Sequence, residues 1–274
     1  DEGRDCLSDL LTMLILPCNI FLSFEGNTDM SALKSSLLTV IISVLVMLCT
    51  AILGKVIYRH REERKAKVFR YGLVNSNALF IGLPIIQSLL GDAGVLQLSM
   101  YMIFVRMFCW SYGLSLYTGV KSDWKGSFKR LLTHPCMIAA ALGVAAMVTG
   151  IRLPAFLDRT LQYVSSCLMA LSMLLIGVVL SEIKLKEVFR GDVWRFTALR
   201  LGVMPGIVFG LCKLCGVPYI VTATCTLVSG MPAASLTAVL AARYHGDSEL
   251  GALLVAVSTI LSAVTIPLWF MILQ

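Results

Sequence analysis

The sequence predicts an all-α polytopic membrane protein built from two inverted five-helix repeats, each with one helix broken near the middle of the bilayer. Three observations predict it. The 274 residues are 58% hydrophobic and 14% charged, with a mean hydropathy of +0.84, whereas soluble domains carry about a quarter charged residues. Long uncharged runs recur at membrane-spanning length, and two of them carry polar or helix-breaking residues at their centres. The loops left over are too short for a soluble domain, so soluble-enzyme readings fall away.

Nine spans can be placed, at 7–24, 33–58, 71–90, 94–119, 133–151, 160–181, 193–214, 219–241 and 250–273. Each approaches the 20 or so residues that cross a hydrocarbon core as a helix. Stretches 37–53 and 136–148 are apolar on every side, which excludes the alternation of a barrel strand.

Charge then orients the spans. Loops 59–70, 121–130 and 182–195 are rich in Lys and Arg, while 25–32, 91–93, 152–159 and 215–218 are poor in them. The positive-inside rule assigns the first set to the cytoplasm, with residue 1 cytoplasmic and residue 274 external, in a plasma (inner) membrane. The net charge of +7 belongs to these loops, and no nucleic-acid partner is expected. No signal peptide is read, because the opening DEGRD is acidic and the first apolar run leads directly into another span.

Six cysteines, Cys18, Cys49, Cys109, Cys136, Cys167 and Cys225, lie inside apolar runs, where the thiol behaves as a small hydrophobe. Cys212 and Cys215 form a CxxC without a second Cys or His pair nearby. The histidines, His60, His134 and His245, sit at membrane edges and do not cluster. Neither a metal nor an organic cofactor is expected.

An offset of 154 residues lays Leu73-Val74-Asn75-Ser76-Asn77-Ala78 on Leu227-Val228-Ser229-Gly230-Met231-Pro232, and carries 7–24, 33–58 and 94–119 onto 161–178, 187–212 and 248–273. Five helices per copy is an odd number, so the copies enter from opposite faces and the repeat is inverted. The first repeat is read as 1–119, a cytoplasmic linker as 120–132, and the second repeat as 133–274. The counterpart of span 133–151 would precede residue 1, so the first helix of ten is expected to be missing from this chain.

Asn75, Ser76 and Asn77 are poor helix formers and costly in hydrocarbon. Gly82 and Pro84 follow them, and Ser229-Gly230-Met231-Pro232 occupies the matching place, so each span is expected to unwind near the midplane. Such backbone survives only inside protein or beside a wet cavity. Half-helix ends there would offer N–H groups to an anion or carbonyls to a cation; the plainer reading is two kinked packing helices whose Ser and Asn bond back to the chain. Pro17 and Asn19 mark another break, and its repeat mate around Leu171, Ser172 and Met173 lacks proline. Asn19 either faces the same cavity or ties two helices.

Arg106 lies near the middle of its span and is either functional or paired with a carbonyl. Arg200 is read as snorkelling to the cytoplasmic interface, and Lys213 as an interface marker. No carboxylate occupies a span centre: Asp9 and Glu182 lie near cytoplasmic ends, while Asp92 and Asp247 stand in GD turns as helix caps. Gly202, Gly206 and Gly210 form a small-residue stripe around Pro205, read as a close helix-packing face.

Together LPCNIFLSF at 16–24, NSNALFIGLP at 75–84, HPCMIAAALG at 134–143, LSMLLIGVVLS at 171–181 and SGMPAASLTAVLAARYHGD at 229–247 resemble the auxin efflux carrier family of secondary transporters, in particular its bacterial malate or malonate permease-like members. The resemblance implies the fold of bile-acid symporters and sodium/proton antiporters. It implies crossing helices at 71–90 and 219–241, and a scaffold that supports a homodimer. Asn75 and Asn77 match the asparagines of the family's Asn-Pro-Asn crossover, with Ser76 in place of its proline, and Pro232 matches the second crossover proline.

The expected function is a secondary transporter, not an enzyme, that moves a small organic anion across the membrane by alternating access. Its expected substrate site comprises Asn75, Asn77, Ser229, Gly230, Pro232, Asn19 and Arg106, with coupling to sodium or protons left open. The alternatives are a substrate-sensing receptor of the same fold and a cation-coupled exchanger. An intramembrane enzyme is disfavoured, because no nucleophile, base and orienting group share a depth.

Overall fold

The computed structural model describes residues 6, 9–25, 30–118, 135–150, 153–181 and 190–274. The expected linker 120–132, loop 121–130, His134 and Glu182 lie outside the described residues. Within them the chain forms α1 (Leu16–Glu25), α2 (Met30–Ile57), α3 (Glu63–Val74), α4 (Leu83–Phe108), α5 (Leu114–Thr118), α6 (Pro135–Thr149), α7 (Ala155–Ser181), α8 (Gly191–Ala198), α9 (Met204–Leu214), α10 (Tyr219–Ser229), α11 (Leu236–Arg243) and α12 (Ser248–Leu273). Wider π-turns join several of them, at Leu11–Ile15, Ala78–Gly82, Cys109–Gly113 and Leu199–Val203.

Among the described residues, four helical stretches are long and apolar enough to cross a membrane: 34–57, 78–106, 191–214 and 248–273. Gly91, with φ +63° and ψ −158°, divides the second of these at the exposed residues 91–93. Only glycine adopts such dihedrals freely, so the chain turns at the GD pair.

Helix α2 shows which solvent surrounds it. Leu37, Ile41, Leu45, Leu48, Ile52 and Val56 form an exposed stripe at helical spacing, while Ser36, Thr39, Ser43 and Thr50 are buried on the other side. A water-soluble helix hides the apolar stripe and exposes the polar one. Here the order is reversed, as lipid requires. The buried hydroxyls bond locally or to a neighbour: Ser43 Oγ to Val40 O at 2.7 Å, Thr50 Oγ1 to Met47 O at 2.8 Å, and Thr39 Oγ1 to Gln97 Oε1 of α4 at 2.6 Å.

Residues 59–70 are not a plain loop, because α3 begins at Glu63 and carries the basic residues on its first turns. Two helix-spaced ion pairs, Lys65–Glu62 at 3.2 Å and Lys67–Glu63 at 3.0 Å, favour an early start. In α3 the residues from Val68 to Val74 are almost all buried, so the helix leads from a charged end into the core. There α10 packs on α4 and α9, and α12 packs on α3, α8 and α11.

Candidate functional site

Helix α3 stops at Val74, and α10 stops at Ser229. The two interrupted segments then pair with each other. Ser76 and Ala233 form an isolated antiparallel bridge, with Asn77 N donating to Pro232 O at 2.8 Å and Ala234 N donating to Asn75 O at 3.1 Å. Backbone groups released by the breaks thereby find partners without water.

The chain resumes as helix on the far side of each break, at Ala78 and at Leu236. Asn77 and Ser235 precede those starts, and neither side chain caps a backbone N–H. Four half-helix ends therefore meet at the bridge: the C-termini of α3 and α10 and the N-termini of the helices beginning at Ala78 and Leu236.

Small residues let the breaks approach. A Cβ on Gly82 would lie 3.3 Å from Met231 Cγ, and one on Gly230 would lie 3.2 Å from Pro205 Cγ. The N–H of Ala233 reaches Ser258 Oγ of α12 at 3.1 Å, and that hydroxyl donates in turn to Leu254 O at 2.6 Å.

Arg200 corrects the expectation that it snorkels to the interface. It is only 2% exposed, and its guanidinium donates from Nε to Met231 O at 2.9 Å and from Nη1 to Leu73 O. Counted from Gly191, it lies roughly 14 Å along the helix, close to half the hydrocarbon thickness. Two structural features aim it inward. The π-turn Leu199–Val203 widens the helix around it, with Met204 N bonded five residues back to Leu199 O. Pro205, lacking an N–H, leaves Leu201 O without its helical donor, and the indole N–H of Trp269 takes that oxygen at 2.8 Å.

The other expected site residues are distributed unevenly. Asn75, Asn77, Gly230 and Pro232 lie in the paired breaks, and Ser229 immediately precedes the second. Asn75 Nδ2 donates to Tyr71 Oη at 3.0 Å, and Ser229 Oγ donates back to Thr226 O at 2.8 Å. The Gly230 N–H is already taken by Thr226 O and Leu227 O, each at 3.1 Å. Asn19 sits elsewhere: its Nδ2 donates to Ser165 Oγ of α7 at 2.7 Å and Gln87 Oε1 of α4 at 3.2 Å. It ties three helices, and its Oδ1 has no hydrogen-bond partner among the described residues. Arg106 is half-buried in the last turn of α4. The guanidinium that meets the breaks belongs to Arg200.

The glycine stripe around Pro205 does not behave uniformly as a packing face. A Cβ on Gly206 would lie 3.5 Å from Trp269, whereas Cβ atoms on Gly202 and Gly210 would meet nothing within 4 Å. Asp247 does cap a helix, accepting from Leu250 N at 2.9 Å, while Asp92 accepts from Gln87 Nε2 at 3.4 Å. Lys213 lies exposed over the Phe209 ring, 5.7 Å from its centroid.

Comparison with known proteins places this architecture. The membrane transport protein family matches over residues 1–127 and 124–270. The chain belongs to that family. It is also 26% identical over 284 residues to an uncharacterized transporter of Methanocaldococcus jannaschii, covering 98% of this chain and 89% of that protein. A second uncharacterized transporter, from Methanothermobacter thermautotrophicus, is 26% identical over 279 residues, covering 100% of this chain and 90% of the other. The protein is thus an integral, multi-pass membrane transporter, and the family is the auxin efflux carrier family that its motifs resemble.

Proposed function

We propose that this transporter is a secondary carrier for a small organic anion, a carboxylate or dicarboxylate of the malonate, malate or auxin type, moved across the plasma membrane by alternating access. The single observation that carries the reading is the pairing of the two helical interruptions, with Asn77 between them. The half-helices starting at Ala78 and Leu236 turn uncapped N-termini toward that pairing. The positive dipole end of each helix favours an anion. At the second start Thr237 N and Ala238 N already bond to Ala234 O and Ser235 O, at 2.9 and 3.1 Å, so the dipole rather than a full set of free N–H groups carries the attraction. Asn77, Asn75, Ser229 and the backbone beside Pro232 would hold the carboxylate, with the Asn77 carboxamide donating one hydrogen bond.

The two inverted repeats, 1–119 and 133–274, joined by 120–132, supply the mechanics in this proposal. Rocking or elevator-like motion of the paired breaks against a scaffold of the remaining helices would expose the site to each face in turn. A homodimer would hold that scaffold still.

Uptake of radiolabelled malonate, malate and indole acetate into proteoliposomes tests the reading, with Asn77→Ala beside the unaltered protein. Saturable uptake of at least one of these anions, reduced about tenfold or more by the substitution, is the expected result. Saturable binding without flux would instead indicate a receptor.

A further inference from the structure

We propose that Arg200 is the resident cation of the paired breaks: it holds the two half-helix C-termini together and takes the place of a coupling metal ion, so that the site assembles and binds its anion without sodium. The charge balance leads there. Each helix end carries roughly half an elementary charge, negative at the C-terminus. The C-termini of α3 and α10 therefore bring roughly one negative charge to the pairing, and the guanidinium brings one positive charge. What is left uncompensated is the positive character of the N-termini at Ala78 and Leu236.

The hydrogen bonds agree with this balance. Leu73 O and Met231 O, the carbonyls Arg200 binds, lie one in the last turn of α3 and one just past the end of α10. In broken-helix carriers generally, unwound carbonyls and half-helix C-terminal ends are the groups that coordinate sodium. Here a covalently attached cation already occupies them. Among the described residues the partners of the Arg200 guanidinium are the carbonyls of Met231 and Leu73, not an acidic side chain. A guanidinium 2% exposed and without a carboxylate partner among the described residues is tolerated because the carbonyl dipoles face it.

Arg200 also couples three elements that must move as one. It reaches from the π-turn before α9 to both breaks, and Pro205, five residues further on, presses against Gly230. It is a positioning residue: it shapes the site without touching the anion.

The test has one arm that needs no substrate and one that rests on the proposed anion site. In detergent, the melting temperature of the unaltered protein is measured in sodium chloride and in choline chloride at equal ionic strength. The expected difference is below about 1 °C, because no sodium binds the folded state selectively. A saturable rise of several degrees with sodium would overturn the proposal. Arg200→Ala is expected to melt about 10 °C lower and to recover part of that loss in millimolar guanidinium, which refills the vacated place. Arg200→Lys should retain most of the stability. Arg200→Gln should gain a sodium response that the unaltered protein lacks. If Arg200→Gln melts like the unaltered protein, the assignment is wrong. If Arg200→Ala cannot be purified, the unaltered protein and Arg200→Lys decide the point.

In the second arm, malonate, malate and indole acetate binding is titrated in both salts. Dissociation constants equal within about twofold support the proposal, and a loss of about tenfold or more in choline overturns it. If none of the three anions binds in either salt, the proposed cargo is wrong, while the melting data still decide the role of Arg200.

Discussion

Trp269 donates its indole N–H to the one carbonyl that Pro205 cannot serve, that of Leu201, at 2.8 Å. The bond joins α12 to the π-turn that carries Arg200, beside Gly206, where an added Cβ would lie 3.5 Å from the Trp269 ring. A proline in one helix thus obliges a donor in another, and the obligation fixes how the two pack.

Trp269→Phe should expose that dependence. It keeps an aromatic ring against Gly206 and removes only the N–H, leaving Leu201 O without its donor in a low-dielectric setting. The expected loss is about 1–2 kcal/mol, read as a fall of several degrees in melting temperature. An unchanged melting curve would mean that another donor replaces the indole.

Two glycine substitutions should behave oppositely. Gly230→Ala places a methyl group 3.2 and 3.3 Å from the Pro205 ring, which cannot rotate aside, so a loss of about 1–3 kcal/mol is expected. Gly210→Ala meets no atom within 4 Å and should be neutral or stabilising by up to about 1 kcal/mol. Melting both in one detergent tests the contrast, and equal losses would contradict the packing described here.

The sign of the cargo can be read at Asn77. Asn77→Asp preserves shape and adds a negative charge beside the uncapped helix starts. Anion uptake should fall further in Asn77→Asp than in Asn77→Ala, by about another tenfold. Were the aspartate variant the better of the two, a cation would be the preferred cargo.

Ser258→Ala removes the acceptor that holds the Ala233 N–H at 3.1 Å. A buried donor beside the bridge would then be unpaired, at a cost of about 1–3 kcal/mol. Hydrogen exchange at Ala233 and Ala234 should accelerate, while exchange in α2, on a different part of the fold, stays as it was. Unaltered exchange at Ala233 would show that the bond does not protect the break.

Much of the architecture was legible in the chain itself. Apolar runs of bilayer length require helices, since backbone polar groups have no partner in hydrocarbon. Asn75-Ser76-Asn77 and Gly230-Met231-Pro232 predict lost helical bonds because their residue types cannot sustain them there. The GD pairs at 91–92 and 246–247 mark turns for equally local reasons, and those turns are present at Gly91 and before α12. What composition and spacing do not contain is the direction a side chain takes within a helix surrounded by apolar neighbours. Arg200 reads as an interfacial arginine from its position in the run; only the pairing of two breaks 157 residues apart, Ser76 with Ala233, creates the carbonyls that bring it inward. Ser258 and Trp269 carry no local signal either, because each answers a deficit in another helix: the unserved N–H of Ala233 and the carbonyl of Leu201 left open by Pro205. The sequence determines where hydrogen bonds must be lost, a property of each segment alone. Tertiary structure decides which distant groups replace them, because in a medium without water the substitutes must come from the protein.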